Sequence, residues 1–279
     1  MRAFSLLRQA RILIAILMLG FVVPVFALDL EVTYTSDDNV NRGGYGYTYR
    51  DSITAATIGK TYRKSTGQKS QLVYRLSAAL EKYARYDKLS GAAVGLDGAW
   101  QYRSSSAFTA PTYSLLGKVH AENVQSGLRS GVSLEAGASV LKPLTDRISV
   151  TGFIIARQRD AASPVFDTVN TSARINLDYL VNRRSTLYLT YNHIQGDMTL
   201  SAPNGAYSGY EVWQTDDAFT AGWWAYRFDA TTDVATLGYN FMLSEKSSID
   251  ASVMSASSKV YAGPSYKSTI VSLAWLKRF

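Results

Sequence analysis

The chain has no cysteine, and only six prolines in 279 residues. Without cysteine, disulfides, thiol catalysis and cysteine-ligated metal are all excluded. Histidine is nearly absent too, with only His120 and His193 to weigh. Past residue 27 no apolar run approaches the roughly 20 residues of a membrane helix, which excludes an inner-membrane helical protein. A dominant sign of charge is also missing. Three of the 29 basic residues fall in the first 27 positions, leaving 26 against 22 acidic residues, a net of +4. That balance is too mild to argue for a nucleic-acid partner.

What is present is a secretory leader and a long alternating chain. Arg2, Arg8 and Arg11 form a positive n-region, residues 12–23 an unbroken apolar stretch, and Val25-Phe26-Ala27 a small-residue cleavage site. These read as a signal peptide over 1–27, cut before Leu28. Export by the twin-arginine route is not indicated, because no Arg-Arg pair occurs in it. The remaining 28–279 combines a mean hydropathy near zero with 47% hydrophobic residues across the chain. This mixture suits strands that alternate between lipid and a polar interior.

Period-two alternation bounded by turn signals gives twelve candidate strands. They span 28–36, 51–62, 71–83, 91–103, 112–123, 128–141, 147–159, 168–181, 185–199, 231–243, 248–260 and 267–279. If the mature N-terminus is periplasmic, the turns at 63–70, 104–111, 142–146, 182–184 and 244–247 are periplasmic. The two long connections, 37–50 and 200–230, then both fall on the extracellular side. An even count returns the last strand to the periplasm, as single-chain bacterial barrels require. The expectation is an all-β fold, one antiparallel transmembrane β-barrel of about 12 strands. Ten or fourteen stay open, because the segment from Leu200 has room for another pair.

The run Ser268-Thr269-Ile270-Val271-Ser272-Leu273-Ala274-Trp275-Leu276-Lys277-Arg278-Phe279 puts Val271, Leu273, Trp275 and Phe279 on one face. It resembles the C-terminal strand of bacterial outer-membrane β-barrels, whose final Phe is read by the assembly machinery. Lys277 departs from that pattern, which favours an aromatic or apolar residue there. The turn Leu180-Val181-Asn182-Arg183-Arg184-Ser185-Thr186-Leu187-Tyr188, continued by Leu189-Thr190-Tyr191, resembles the periplasmic hairpins of proteobacterial porins and related barrels. Tyr34-Thr35-Ser36-Asp37-Asp38-Asn39-Val40 is similar to the first strand and loop of several outer-membrane barrels. The resemblance is to the porin-like superfamily rather than to one family. It implies the outer membrane of a Gram-negative cell, with membrane lipids and the barrel-assembly machinery as partners.

On such a barrel, runs such as Leu72, Tyr74, Leu76, Ala78, Leu80 and Val169, Thr171, Ala173, Ile175, Leu177, Tyr179 face lipid. Val94, Leu96, Trp100, Tyr102, Leu187, Leu189, Tyr191, Leu237, Tyr239 and Phe241 continue that surface. Aromatic ends sit at the headgroup level. The opposite faces carry Arg75, Glu81, Asp97, Lys118, His120, Glu122, Glu135, Arg174 and Asp178. Charges inside a membrane protein pair or meet water, so these mark the lumen. Two readings stand side by side, a salt-bridged filled interior and a hydrophilic pore with weak selectivity.

For chemistry, His120 with Glu122 at two-residue spacing is the best candidate general base. No serine lies at a short fixed spacing to act as nucleophile. His193 aligns with Leu189 and Tyr191 and belongs with the interface aromatics. Asp37-Asp38-Asn39 offers oxygen ligands for calcium, but three adjacent side chains cannot converge on one ion, so no metal and no cofactor is expected. The aromatics Tyr207, Tyr210, Trp213, Trp223 and Trp224, near Asp216 and Asp217, suit either sugar stacking or a fold over the barrel mouth. The expected function is a non-enzymatic channel for hydrophilic solutes or saccharides. A lipid or lipopolysaccharide hydrolase and a structural or assembly barrel are the alternatives.

Overall fold

The computed structural model describes residues 28–44, 46–207, 212–260 and 264–279. The expected signal segment and Tyr210 lie outside the described residues. The strands are β1 (Asp29–Asp37), β2 (Asp51–Ser65), β3 (Ser70–Tyr83), β4 (Gly91–Arg103), β5 (Thr112–Val124), β6 (Gly131–Pro143) and β7 (Ile148–Ala161). They continue as β8 (Thr168–Asn182), β9 (Ser185–Pro203), β10 (Trp213–Thr215), β11 (Trp223–Ser244), β12 (Ser247–Val260) and β13 (Ser265–Arg278). Consecutive strands pair antiparallel except β9 and β10; β9 pairs instead with β11, and β13 with β1. Twelve strands therefore close into a barrel. The short β10 lies outside the ring, paired only to the far end of β11.

Alternation of side chains fixes which face is which. The outward rows are apolar and bare: Leu80 is 66% exposed, Ile154 72% and Leu115 61%. Such a wall is unstable in water but suited to lipid, since closure leaves no unpaired backbone edge in the hydrocarbon. Closure rests on the β1–β13 ladder, which runs from Asp29↔Arg278 to Asp37↔Ile270. The Phe279 N–H extends it by donating to the Leu28 carbonyl at 2.9 Å.

The strand boundaries expected from sequence hold to within three residues for most elements. The difference is at β9 and β11, which run past 199 and start before 231. The β8–β9 ladder stops at Asn170↔Gly196 and the β11–β12 ladder at Ala230↔Val260. Beyond those points residues 197–203 and 223–229 leave the barrel wall and pair with each other, with the short β10 adding Trp213–Thr215 to the free side of 224–226. Much of the stretch expected as a loop from Leu200 is thus a two-stranded hairpin. Seven further residues per strand add about 23 Å of ladder. Gly196, at φ 129°, starts it, and a Cβ there would collide with the Val169 carbonyl.

Candidate functional site: the barrel interior and its mouth

Below the hairpin the inner wall carries a row of alternating charge. Register places Arg75, Asp97, Lys118, Glu135 and Arg157 side by side on β3 to β7. Lys118 turns to Glu135 at 3.4 Å, and Arg157 approaches the same carboxylate at 3.6 Å. Asp97 is left to His120, whose Nε2 lies 3.1 Å away. His120 stands directly opposite Gly95. A Cβ at Gly95 would come within 3.0 Å of the imidazole, so the missing side chain is what lets the ring lean over to Asp97. Glu122 pairs with Arg159 at 2.8 Å. Arg75 lies over Gly59, and Arg174 rests on the Phe153 ring at 4.4 Å. Asp178 accepts from Asn176, and on β12 Asp250 accepts from the Tyr188 hydroxyl at 2.8 Å. These side chains point inward yet keep much of their surface: Lys118 and Arg157 are each 40% exposed and His120 38%.

The mouth is different. Among the described residues, the buried apolar ones all lie at this end of the barrel, Ala110 excepted. The inward face of the hairpin, Met198, Leu200, Ala202, Tyr226 and Phe228, packs against Tyr266 of β13 and Val260 of β12. Its other face meets the remaining loops of that end. Ser201 exchanges backbone and side-chain hydrogen bonds with Asn41 of the β1–β2 loop. Trp223 stacks on Tyr49 at 4.4 Å, and Tyr49 on Tyr86 of the β3–β4 loop at 5.2 Å. Val165 and Phe166, in the β7–β8 loop, cluster with Ala225, and Thr199 bonds the Val165 carbonyl at 2.9 Å.

Charge fastens the hairpin tip. Arg129, from the β5–β6 loop, meets the Asp216 carboxylate at 2.5 Å, and Asp216 also accepts from Ser201. Ser126 bonds Asp217 at 2.6 Å, Lys88 approaches it at 3.8 Å, and Ser163 bonds Gln214. Burial pushes the Arg129 guanidinium down from its ordinary value, and Asp216 opposes that shift. The hairpin therefore stands in the mouth as a plug, held from both faces.

Several sequence expectations change in detail. His120 and Glu122 do not form a pair, since Asp97 holds the ring and Arg159 holds the carboxylate. The cause is strand geometry. Residues two apart project in parallel, while cross-strand neighbours converge. His193 does lie on the outer wall, but its Nδ1 is 2.8 Å from Asp233, which also accepts from Tyr191 at 2.7 Å. The Asp37-Asp38-Asn39 stretch ties the barrel seam: Asp37 accepts from Ser268, Asp38 from Thr269 N–H, and Asn39 donates to the Lys267 carbonyl. Trp223 is buried within the plug. Trp213 is 52% exposed and lies 4.5 Å from the Trp224 ring, while Tyr207 meets Tyr226 edge-on at 5.5 Å. Arg157 and Arg159 were legible by parity, because they fall on the opposite face of β7 from the outward Ile154. Asp250 was legible in the same way, opposite the outward Val253 of β12, whereas Arg129 and Arg42, in loops, gave no signal in the sequence.

A closed antiparallel barrel with an apolar exterior, a charged and partly exposed interior and a loop-filled mouth defines an outer-membrane-type β-barrel. No family model matches the chain, and no curated protein matches it. Among solved structures it is similar to the COG4313 outer membrane channel from Pseudomonas putida F1, at 12% identity and TM-score 0.62. That match covers 92% of this chain and 97% of the other. It is also similar to the transport unit of the autotransporter AIDA-I from Escherichia coli, at 12% identity and TM-score 0.53, covering 94% and 93%. The likeness is one of fold.

Proposed function

We propose that this protein is a non-enzymatic outer-membrane channel for small hydrophilic solutes, regulated by the hairpin in its mouth. The observation that carries the reading is the exposure of charged side chains on the inner wall. A barrel whose interior is packed solid keeps its inward charges shut away from water, yet here Lys118, His120 and Arg157 retain about two fifths of their surface. Water at the level of the charged row is what a solute path requires. The lumen set Arg75, Glu81, Asp97, Lys118, His120, Glu122, Glu135, Arg174 and Asp178 then lines that path. Mixed charge, mostly neutralised in pairs, predicts weak ion selectivity.

The fold resemblance to a named outer-membrane channel supports this reading. Export by the signal at 1–27, and recognition of Val271, Leu273, Trp275 and Phe279 by the assembly machinery, belong to the same proposal. A hydrolase acting through His120 lacks a nucleophile here: Asp97 holds the ring, but among the described residues no serine hydrogen-bonds it. His120→Ala should leave any measured lipid hydrolysis unchanged. The direct test is purified protein in planar bilayers. Discrete conductance steps are expected, and silence at high salt would sink the channel reading.

A further inference from the structure

On the outer wall, close to the mouth, the register of β2 to β5 sets a polar row directly above an apolar one. Ala56, Leu80, Ala92 and Asn123 lie opposite one another across the four strands. The next outward row toward the mouth is Thr54, Lys82, Ser90 and Gln125. Thr54 faces Lys82, Ser90 Oγ accepts from Tyr83 N–H at 3.0 Å, and Gln125 N–H reaches the Ser90 carbonyl at 2.9 Å. The next row in the other direction, Ile58, Ala78, Val94 and Ala121, is wholly apolar. On this side of the barrel the boundary between hydrocarbon and headgroups therefore falls between Leu80 and Lys82.

The two upper rows line a groove of about 490 Å³. That lies within the roughly 300–1,000 Å³ of ligand sites. Leu80, 66% exposed, stands between Ala56 and Ala92, whose short side chains leave a trough on either side of it. Glu81, Gly91 and Val124 also border the groove, but they alternate to the inner face, where they border a smaller cavity.

Lys82 is the one cation among the residues lining the groove, and it is exposed. It makes no ion pair among the described residues. Thr54, Asn123 and Gln125 around it are exposed as well. Asn123 Oδ1 accepts from Ser130 at 3.4 Å, which leaves its N–H groups to donate. The upper half thus presents a positive charge and neutral donors, with no outward carboxylate. The lower half presents troughs for hydrocarbon. An anionic head above an acyl chain fits both halves, and this wall faces a bilayer. A soluble anion gains nothing from the troughs. A two-fold pairing of this face with a second copy brings Lys82 toward its own like charge.

We propose that this groove is a binding site for a phosphate-bearing lipid of the outer leaflet. One acyl chain lies beside Leu80, and a headgroup phosphate is taken by Lys82 with the Asn123 and Gln125 amides. The site rests on the placement of the barrel in the outer membrane and not on whether the lumen conducts.

The full mature protein in detergent is titrated with bisphosphorylated lipid A and, separately, with the same lipid stripped of its phosphates. Native mass spectrometry reads the bound lipid. The bisphosphorylated form should bind about fivefold tighter, the increment expected of one lysine beside a phosphate near the membrane surface. Lys82→Gln should erase that difference and leave binding of the dephosphorylated lipid as it was, whereas Lys82→Arg should keep it. Ala92→Leu, which fills one trough without entering the lumen, should weaken both lipids. Lys259→Gln, on the outer face of β12 away from the groove, should change nothing. Heat-modifiable gel migration verifies that each variant is folded. Equal binding of the two lipids by the parent protein overturns the site. An equal loss in Lys82→Gln and Lys259→Gln also overturns it, because general surface charge would then account for binding. Lipid-free dimers that Ala92→Leu disrupts would assign the groove to a second copy and overturn it too.

Discussion

Asp216 brings a carboxylate with no exposed side-chain surface into the mouth, where it is compensated by a single arginine 87 residues away in the chain. Breaking a buried pair by removing one partner costs about 3–5 kcal/mol, because the remaining charge is stranded. Arg129 has further reason to need Asp216, since its other neighbours are the faces of Phe166 and Phe219 and the like charges of Arg42 and Arg159. Asp216→Asn should therefore loosen the plug without touching the barrel wall. Single-channel recordings should show more frequent or larger openings, while heat-modifiable migration stays that of the parent protein. Unchanged conductance would mean that Arg129–Asp216 is not a latch. No reading of the sequence could find this pair, because neither residue belongs to a motif. Its meaning comes from burial, which local pattern does not encode. The inward row was different. Lys118, His120 and Glu122 sit at period two on a strand whose opposite face is apolar, and that was enough to place them. Which carboxylate each would meet was not legible, because partners are chosen across strands.

At the scale of elements the same division appears. The wall strands were readable because each has a lipid face, and an apolar residue at every second position is a local signal. The outer halves of β9 and β11 also alternate, with Met198, Leu200 and Ala202 opposite Phe228, Tyr226 and Trp224. They lose the membrane length limit, however, and their apolar face turns to other parts of the mouth. Period alone could not tell a plug from a loop. The plug reading makes a mechanical prediction, which the absence of native cysteine allows to be tested cleanly. Ser126 and Asp217 bond through their side chains at 2.6 Å, bridging the β5–β6 loop to the hairpin tip. A Ser126→Cys, Asp217→Cys variant should form a disulfide on mild oxidation. Conductance should then fall below that of the reduced form and return with a thiol reductant. Equal conductance in the two states would show that solutes pass without the hairpin moving.

For the whole molecule, closure is the decisive event, because a transmembrane sheet with an open edge leaves backbone groups unpaired in hydrocarbon. The seam that achieves it joins strands more than 200 residues apart, and it is fastened at both ends. At the mouth Asp37 and Asp38 accept from Ser268 and Thr269. At the opposite end Arg278 approaches Asp29 at 3.6 Å, and Phe279 N–H reaches the Leu28 carbonyl. Phe279 itself is 58% exposed on the outer face, in line with Trp275, Leu273 and Val271, and Lys277 lies 5.6 Å from its ring. Its side chain contributes little packing to the finished barrel, so in the proposal its value lies in assembly, while the structure shows its N–H making the last backbone hydrogen bond of the seam. Truncation before Phe279 should lower the yield of folded, membrane-inserted barrel several-fold. The fraction that does fold should retain nearly parental conductance, since the lumen and the plug are untouched. Replacing Lys277 by Phe should act in the opposite direction, raising the rate of insertion by restoring the apolar row. Quantitative heat-modifiability of membrane fractions reads both effects. Normal insertion without Phe279, or no response to Lys277→Phe, would move the burden of closure from the end of β13 to the polar ties at the mouth.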